Sequence, residues 1–275
     1  MTAELPVLVG IDGSRDGLIA LDWAAPYAEL RHAPLHAVHV VDEHRHVPAS
    51  TARTGSNDGS EVLDDAVHEL ERIGFTNASL EARSGNPAKV LLELSERTQA
   101  LVVGRRGLGG FAELMLGSTS QVCTALSTDV PLIVVPDTWD PAAPPHGRIV
   151  VGVDGSFEGQ AALRFAFELA AATKVELHCV HAVPRHEIYP AEDLLSRTLA
   201  PCQAKYPEVV VAQCGVTDPP VRALARESEV ADLVVVGGTG QTAFSELRLG
   251  SVARGLLHHS HCPVAVIHTP EDPLP

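Results

Sequence analysis

Hydrophobic residues along the chain follow two alternating patterns. Short uninterrupted runs rich in Val, Ile and Leu are typical of strands that are covered on both faces. Longer segments in which apolar residues recur every three or four positions, as at Leu63, Val67 and Leu70, predict helices. In the first part of the chain the strand-like runs occupy residues 6–11, 35–41, 78–82, 100–103 and 131–135. Because parallel strands need helical crossovers, the alternation predicts an α/β fold: a doubly wound, five-stranded parallel sheet with helices on both faces.

The pattern is present twice. The matching segments are 7–14 and 149–156 (VLVGIDGS and IVVGVDGS), and 101–104 and 234–237 (LVVG and VVVG). The second copy is shorter, mainly because it lacks most of the polar stretch at 42–60, and a proline-rich segment at 136–147 separates the copies. A segment of this composition suits a boundary between domains. The sequence therefore predicts two tandem domains of the same fold, residues 1–145 and 146–275.

The loop after the fourth strand has the same glycine spacing in both copies, Gly-x2-Gly-x9-Gly-Ser. Early glycines let the backbone approach a ligand closely, and the final Gly-Ser opens a helix whose unpaired N–H groups attract anions. In doubly wound sheets ligands bind at the carboxyl ends of the strands, where the strand order reverses. The residues are Gly104, Gly107, Gly117 and Ser118 in the first copy and Gly237, Gly240, Gly250 and Ser251 in the second.

An aspartate follows the first strand of each copy, beside a Gly-Ser. Asp12 and Asp154 are placed to accept hydrogen bonds from a base or a ribose, as acidic residues do in other nucleotide-binding folds. The alternative is purely structural, with the serines as helix N-caps and the glycines as turn residues. Since the pattern persists in two copies that differ at many other positions, we favour one nucleotide site in each copy.

Composition and charge exclude several other classes. The chain has 275 residues, of which 45% are hydrophobic, and 20 basic against 35 acidic residues give a net charge of −15. This balance argues against nucleic acid and anionic membranes as partners. The chain has no apolar run long enough for a membrane span and its start lacks a signal-peptide pattern, so we expect a cytoplasmic protein. Five cysteines without a C-x-x-C motif predict reduced thiols and no metal site.

The strand-one motif and the glycine loop resemble those of the universal stress protein family, in its tandem-domain, ATP-binding form from actinobacteria. The resemblance covers nearly the whole chain and implies a fold like that of the adenine nucleotide alpha hydrolases. It implies ATP, with or without Mg²⁺, with the adenine near the aspartate and the end of strand two and the phosphates on the glycine loop. The implied site residues are Asp12, Gly13, Val40, Gly104, Gly107, Gly117, Ser118, Thr119 and Ser120, and then Asp154, Gly155, Ala182, Gly237, Gly240, Gly250, Ser251 and Val252.

The second copy departs from the first at one of these positions. Where the first has Ser120, the second has Ala253, so a hydroxyl that could touch phosphate or ribose is missing. We therefore expect the second site to bind more weakly.

The resemblance implies a nucleotide-dependent regulator of the stress response or of growth arrest, which forms a homodimer and acts on a regulatory protein of unknown identity. The alternatives are a slow ATPase or nucleotidyl-transfer enzyme, and a scaffold that binds no ligand. No catalytic residue is assigned. Arg105 and Arg106 could reach phosphate oxygens or form a solvated pair. For the histidines of the second strands, packing or a buried hydrogen bond is a better interpretation than catalysis; they are His36, His39, His178 and His181.

Overall fold

The structure is a computed structural model, and the chain divides into two compact units. The first comprises Met1–Cys123 and Leu132–Pro141, and the second comprises Thr124–Pro131 and Ala142–Pro275. The predicted boundary after residue 145 stays a prediction. The residues that the structure describes are 4–42, 59–107, 116–126, 130–183, 191–240 and 249–269.

The strands of the first copy form a parallel sheet in the order β3-β2-β1-β4-β5. Val7 lies opposite Leu35 of β2 and opposite Ala100 of β4, so β1 is central. The strand order reverses at β1 and β4, as the sequence predicts. The elements are β1 (Val7–Ile11), α1 (Arg15–Leu30), β2 (Leu35–Val41), α2 (Ser60–Ile73), β3 (Ala78–Ser84), α3 (Pro87–Ser95), β4 (Ala100–Gly104), α4 (Ser118–Leu126) and β5 (Leu132–Val135).

The second copy repeats this arrangement, with its parallel strands in the order β8-β7-β6-β9-β10. The predicted fold class is therefore confirmed for both copies. The predicted polar stretch at 42–60 lies largely outside the described residues. The elements are β6 (Arg148–Gly152), α5 (Phe157–Thr173), β7 (Glu176–Ala182), α6 (Ala191–Lys205), β8 (Val211–Val216), α7 (Pro220–Glu227), a 3₁₀ turn (Ser228–Val230), β9 (Leu233–Gly237), α8 (Ser251–His259) and β10 (Val264–Ile267).

The central strands form the core of each copy. Every residue of β4 and β5 is buried, whereas most residues of β3 are at least partly exposed. Burial on both faces explains why the inner strands read as uninterrupted apolar runs, and edge position explains the polar residues of β3. None of the helices in the described ranges is long and apolar enough to cross a membrane.

The five cysteines all fall in described parts of the chain and are free thiols. Burial raises the pKa of Cys123 and of Cys179 to about 12, so both remain protonated at neutral pH.

A charged cluster links α1 to α2. Asp22 of α1 is 8% exposed, and the Arg72 guanidinium donates to both of its oxygens at 2.9 and 3.1 Å and to Glu69 at 2.6 Å. Burial, together with the adjacent Glu69 carboxyl, raises the pKa of Asp22 to about 7. Two carboxylates thus share one guanidinium, and near neutral pH one of them holds a proton part of the time.

Core packing in α5 yields a first prediction, because two phenylalanines of this helix differ in burial. Phe167 is 0% exposed and Phe157 is 65% exposed. We expect Phe167→Ala to lower the free energy of unfolding by about 3–5 kcal/mol and Phe157→Ala to change it by less than about 0.5 kcal/mol. Chemical denaturation of both variants tests this, and equal losses would contradict the described packing.

The charged cluster yields a second prediction. Since the pKa of Asp22 in the folded state lies above its ordinary value of 3.8, folding favours the protonated form. The stabilisation from this proton is complete below about pH 4 and is lost as the pH rises towards 7. We therefore expect the free energy of unfolding of the wild type to fall relative to that of Asp22→Asn over this pH interval. The slope corresponds to a difference of up to about one bound proton between the folded and unfolded states. Urea denaturation at several pH values measures it, and a difference that stays constant would contradict the raised pKa.

Candidate functional site

The aspartate after the first strand is held in a rigid turn in both copies. Asp12 Oδ1 accepts hydrogen bonds from the Ser14 backbone N–H at 3.0 Å and from the Ser14 hydroxyl at 2.5 Å. Asp154 and Ser156 repeat these contacts at 2.9 and 2.6 Å. Gly13, which lies between the two residues of the first pair, has a φ of +77°, a conformation that L side chains rarely adopt.

The serine of each turn also starts the following helix. The Ser14 hydroxyl accepts from the Gly17 backbone N–H at 3.1 Å, and the Ser156 hydroxyl accepts from Gly159 at 3.0 Å. These are N-caps of α1 and α5. The structural interpretation of the serines is therefore correct, and it does not compete with a binding role for the aspartates. Gly155, with a φ of +78°, plays the part of Gly13 in the second turn.

The glycine loop lies directly against this turn. A methyl group placed on Gly107 would collide with Asp12 Oδ2, and one placed on Gly240 would lie 2.8 Å from Asp154 Oδ2. The structure thus brings the predicted residues Asp12 and Gly107 together, and likewise Asp154 and Gly240. One carboxylate oxygen belongs to the turn, and the other faces the loop.

The last residue of each fourth strand is equally close to the first helix. A methyl group on Gly104 would lie 2.6 Å from the Asp16 carbonyl oxygen, and one on Gly237 would lie 3.0 Å from the Gly159 nitrogen. At 2.6 Å the backbone would have to shift to admit a side chain at Gly104, and at 3.0 Å the neighbours of Gly237 would have to give by a few tenths of an ångström. These two glycines are required for close packing of backbone on backbone.

The far end of the loop returns to its beginning. The Gly117 N–H donates to the Arg105 carbonyl at 2.8 Å, and the Gly250 N–H donates to the Gly238 carbonyl at 2.6 Å. The intervening residues 108–115 and 241–248, which make up most of the nine-residue spacing, lie outside the described part of the chain. The two backbone contacts place the first turns of α4 and α8 beside the glycine loops.

The first residues of these helices differ in exposure. Ser118 and Ser251 are exposed, and Thr119 and Val252 are partly exposed. Ser120 is buried, and its hydroxyl donates to the Gly104 carbonyl at 2.7 Å. The hydroxyl that Ala253 lacks therefore tightens the first loop in this structure, and a role for it towards a ligand stays a prediction.

Two further acids, absent from the sequence-based set, hold the glycine loops. Asp16 Oδ2 accepts from the Arg106 backbone N–H at 3.0 Å, and Glu158 accepts from the backbone N–H of Thr239. Burial, as the largest effect, raises the pKa of Asp16. Asp16 and Glu158 occupy the same position, two residues after the Gly-Ser of each turn, and this recurrence is the signal that could have identified them.

The two arginines of the first loop are paired with an acid that follows β5. Arg105 Nη2 contacts one oxygen of Asp137, and Arg106 Nη2 contacts the other at 2.7 Å. Arg105 is only 8% exposed, so the interpretation of a solvated pair is wrong for this residue. Its guanidinium lies within the fold because a carboxylate accompanies it. The two guanidiniums hold the pKa of Asp137 below its ordinary value, against the opposing effect of burial.

The second-strand histidines lie beside the aspartate turns. The Nδ1 atoms of His39 and His181 contact the carbonyl oxygens of Ile11 and Val153 at 3.0 and 2.7 Å. A carbonyl only accepts, so Nδ1 carries the proton. The predicted buried hydrogen bond is thus found for His181, and His39 makes the equivalent bond in a partly buried position, in each case to the residue immediately before the aspartate.

The other pair of histidines contacts neighbouring acids. His36 Nε2 lies 3.5 Å from Glu81, and His178 Nε2 lies 3.0 Å from Glu176. Of the predicted residues near an adenine, Val40 is 7% exposed in β2. Ala182 ends β7 and is partly exposed.

The fold and the loops define a class of protein: two tandem doubly wound domains, each with an aspartate turn and a glycine loop side by side where the strand order reverses. The chain belongs to the universal stress protein family, whose model matches residues 5–136 and 146–268. A universal stress protein of Mycobacterium tuberculosis is 31% identical over 308 residues, which cover 98% of this chain and 97% of that protein. The relatives are therefore tandem-domain proteins of actinobacteria, as the sequence predicts.

Solved structures agree with the fold. The crystal structure of a universal stress protein from Archaeoglobus fulgidus matches with a TM-score of 0.75 and 21% identity, and covers 98% of both chains. A shorter universal stress protein, crystallised in complex with cAMP, is 24% identical over 49% of this chain with a TM-score of 0.37.

The packing of the glycine loop yields a third prediction. Gly104→Ala forces a methyl group against the Asp16 backbone at 2.6 Å, whereas Gly117→Ala meets its nearest atom at 3.3 Å. We expect Gly104→Ala to lower the free energy of unfolding by about 1–3 kcal/mol and Gly117→Ala to lower it by less. Thermal and urea unfolding of both variants measure the two losses. A larger loss for Gly117→Ala would show that the described loop packing is wrong.

Proposed function

We propose that each copy binds ATP at its aspartate-glycine loops and that the protein is a nucleotide-dependent regulator of the stress response or of growth arrest. The observation that carries this proposal is the repeated contact of Asp12 with Gly107 and of Asp154 with Gly240. Both pairs place a carboxylate oxygen beside a loop position that has no Cβ. A cradle that any side chain would fill, lined by one acceptor, suits a ligand with hydroxyl or amino donors.

The ribose and adenine belong, in this proposal, beside the aspartates and the ends of β2 and β7, near Val40 and Ala182. The phosphates belong at the first turns of α4 and α8, where backbone N–H groups point out of the helix and the helix dipole favours negative charge. The remaining predicted residues serve this end of the site; they are Gly104, Gly117, Ser118, Thr119 and Ser120, and Gly237, Gly250, Ser251 and Val252. Gly13 and Gly155 shape the turns.

The acidic composition supports this mode of binding. With a net charge of −15, the chain offers a polyanion little general attraction, so backbone N–H groups and helix ends must supply most of the recognition. Mg²⁺, when bound, would neutralise part of the phosphate charge. The proposal includes a cytoplasmic homodimer that acts on a regulatory protein, with the nucleotide altering the loops that such a partner contacts.

The proposed binding of ATP predicts a shift in melting temperature that depends on both aspartates. We expect millimolar ATP to raise the melting temperature of the wild type, since a ligand at about 100 times its Kd stabilises the folded state by about 2.7 kcal/mol. Asp12→Asn keeps an acceptor for the Ser14 turn but removes the carboxylate, and Asp154→Asn does the same in the second copy. The double variant should show little or no shift.

Asp193→Asn, an exposed position on α6, is the control and should respond like the wild type. A wild-type melting curve that ATP leaves unchanged would overturn the proposal. Release of ADP or AMP faster than about 1 s⁻¹, an ordinary enzymatic rate, would show that the protein is an enzyme and not a regulator. In cells, the double variant should lose the effect on growth, whereas a scaffold that binds no ligand would keep it.

A further inference from the structure

The two glycine loops differ most in charge. The first continues from Gly104 with Arg105 and Arg106, and the second has Gly238 and Thr239 at the same positions. The backbone contacts of the two loops are otherwise equivalent. A difference in side-chain charge on the same backbone implies a difference in the ligand.

Arg106 is well placed for a ligand of this loop. Its Cα lies 3.4 Å from the position that a Gly117 Cβ would occupy, so the side chain starts beside the first turn of α4. Its backbone N–H is held by Asp16, which fixes that starting point. An arginine side chain is long enough to reach an anion bound at the helix start.

The guanidinium of Arg106 has hydrogen-bonding capacity left over. Nη2 pairs with Asp137 at 2.7 Å, and the side chain remains 34% exposed. Nε is buried and has no hydrogen-bond partner among the described residues. A single shared carboxylate therefore does not satisfy this group, whereas a phosphate offers several acceptor oxygens.

The second loop carries its arginine at a different place. Arg254 of α8 lies with Nη2 3.4 Å from the Leu249 carbonyl, whereas Thr239 occupies the position of Arg106. The His268 ring lies so close to Gly238 that a methyl group there would collide with it. Burial lowers the pKa of His268, so the ring is neutral at neutral pH. The Glu158 carboxylate binds the Thr239 N–H. A ligand of this loop therefore meets an uncharged side chain at position 239, where the first loop offers the Arg106 guanidinium.

Resting on the proposed binding of ATP, we propose that the first site discriminates nucleotides by their number of phosphates through Arg106, whose position in the second loop is taken by Thr239. Asp137 holds the Arg106 guanidinium in this structure. The terminal phosphates of ATP compete with Asp137 for it, and AMP is too short to do so. Arg106 is thus a specificity-determining residue, and Asp137 is its internal competitor.

Competition fixes the sign of each substitution. Removing Arg106 lowers the affinity of the first site for ATP and leaves its affinity for AMP unchanged, because only ATP reaches the guanidinium. Removing the charge of Asp137 raises the affinity for ATP, because the free protein loses the contact that binding must break. Adding an arginine at Thr239 gives the second site the preference of the first.

Isothermal titration of the full chain with ATP and AMP tests this, one site at a time. Asp154→Asn leaves the first site intact, and Asp12→Asn leaves the second. In the Asp154→Asn background we expect Arg106→Thr to weaken ATP about tenfold, as expected for the loss of one hydrogen bond to a charged group, and to change AMP less than about twofold. Asp137→Asn should tighten ATP several-fold. Arg222→Thr, at an exposed arginine of α7, should change neither.

In the Asp12→Asn background, Thr239→Arg should raise the ratio of ATP to AMP affinity. Equal effects of Arg106→Thr on ATP and AMP, or none on either, would overturn the inference even if nucleotide binds. Weaker ATP binding by Asp137→Asn would overturn the competition. A wild type that binds neither nucleotide would instead overturn the proposed function, so the two failures are distinguishable.

Discussion

The structure of each site depends on one constraint, the contact between the turn after β1 and the loop after β4. Both segments leave the sheet at the point where strand order reverses, and both are short of side chains where they meet. An acid on the first helix, Asp16 or Glu158, accepts from the loop backbone and so fixes how far apart they lie. The Asp-Gly-Ser turn, the start of the first helix and the start of the helix that follows the loop are all positioned from this contact.

The same constraint explains how an acidic chain can be suited to a polyanion. The side-chain charges at the junction largely cancel, since the two carboxylates of Asp137 and Asp16 lie near the two guanidiniums of Arg105 and Arg106. What remains directed outward is the polarity of the backbone at a helix start. The side-chain charge of such a site affects which anion binds more than how strongly anions in general are attracted. The two copies differ in this side-chain charge.

The sequence was sufficient for the fold, and less so for the site. Apolar runs, glycine spacing and the internal repeat predict the doubly wound parallel sheet, its two copies and the two candidate binding loops, because these depend on local chemistry and on rules of parallel sheets. The role of Asp137 could not be read in the same way. It lies more than 30 residues from the arginines it pairs with, and only the tertiary fold shows that a guanidinium beside the loop is buried. The acid at position 16 was visible as a repeat, yet nothing in its spacing shows that it binds backbone.

The closeness of Gly107 to Asp12 also has an evolutionary consequence. A side chain at position 107 would collide with the carboxylate at position 12, so a change at position 107 requires Asp12 to change or to move. The two positions are therefore coupled, although they are 95 positions apart in the sequence. A descendant that abandoned this site would be free to lose both residues together, and the second copy, which carries the same pair at Gly240 and Asp154, could do so independently of the first.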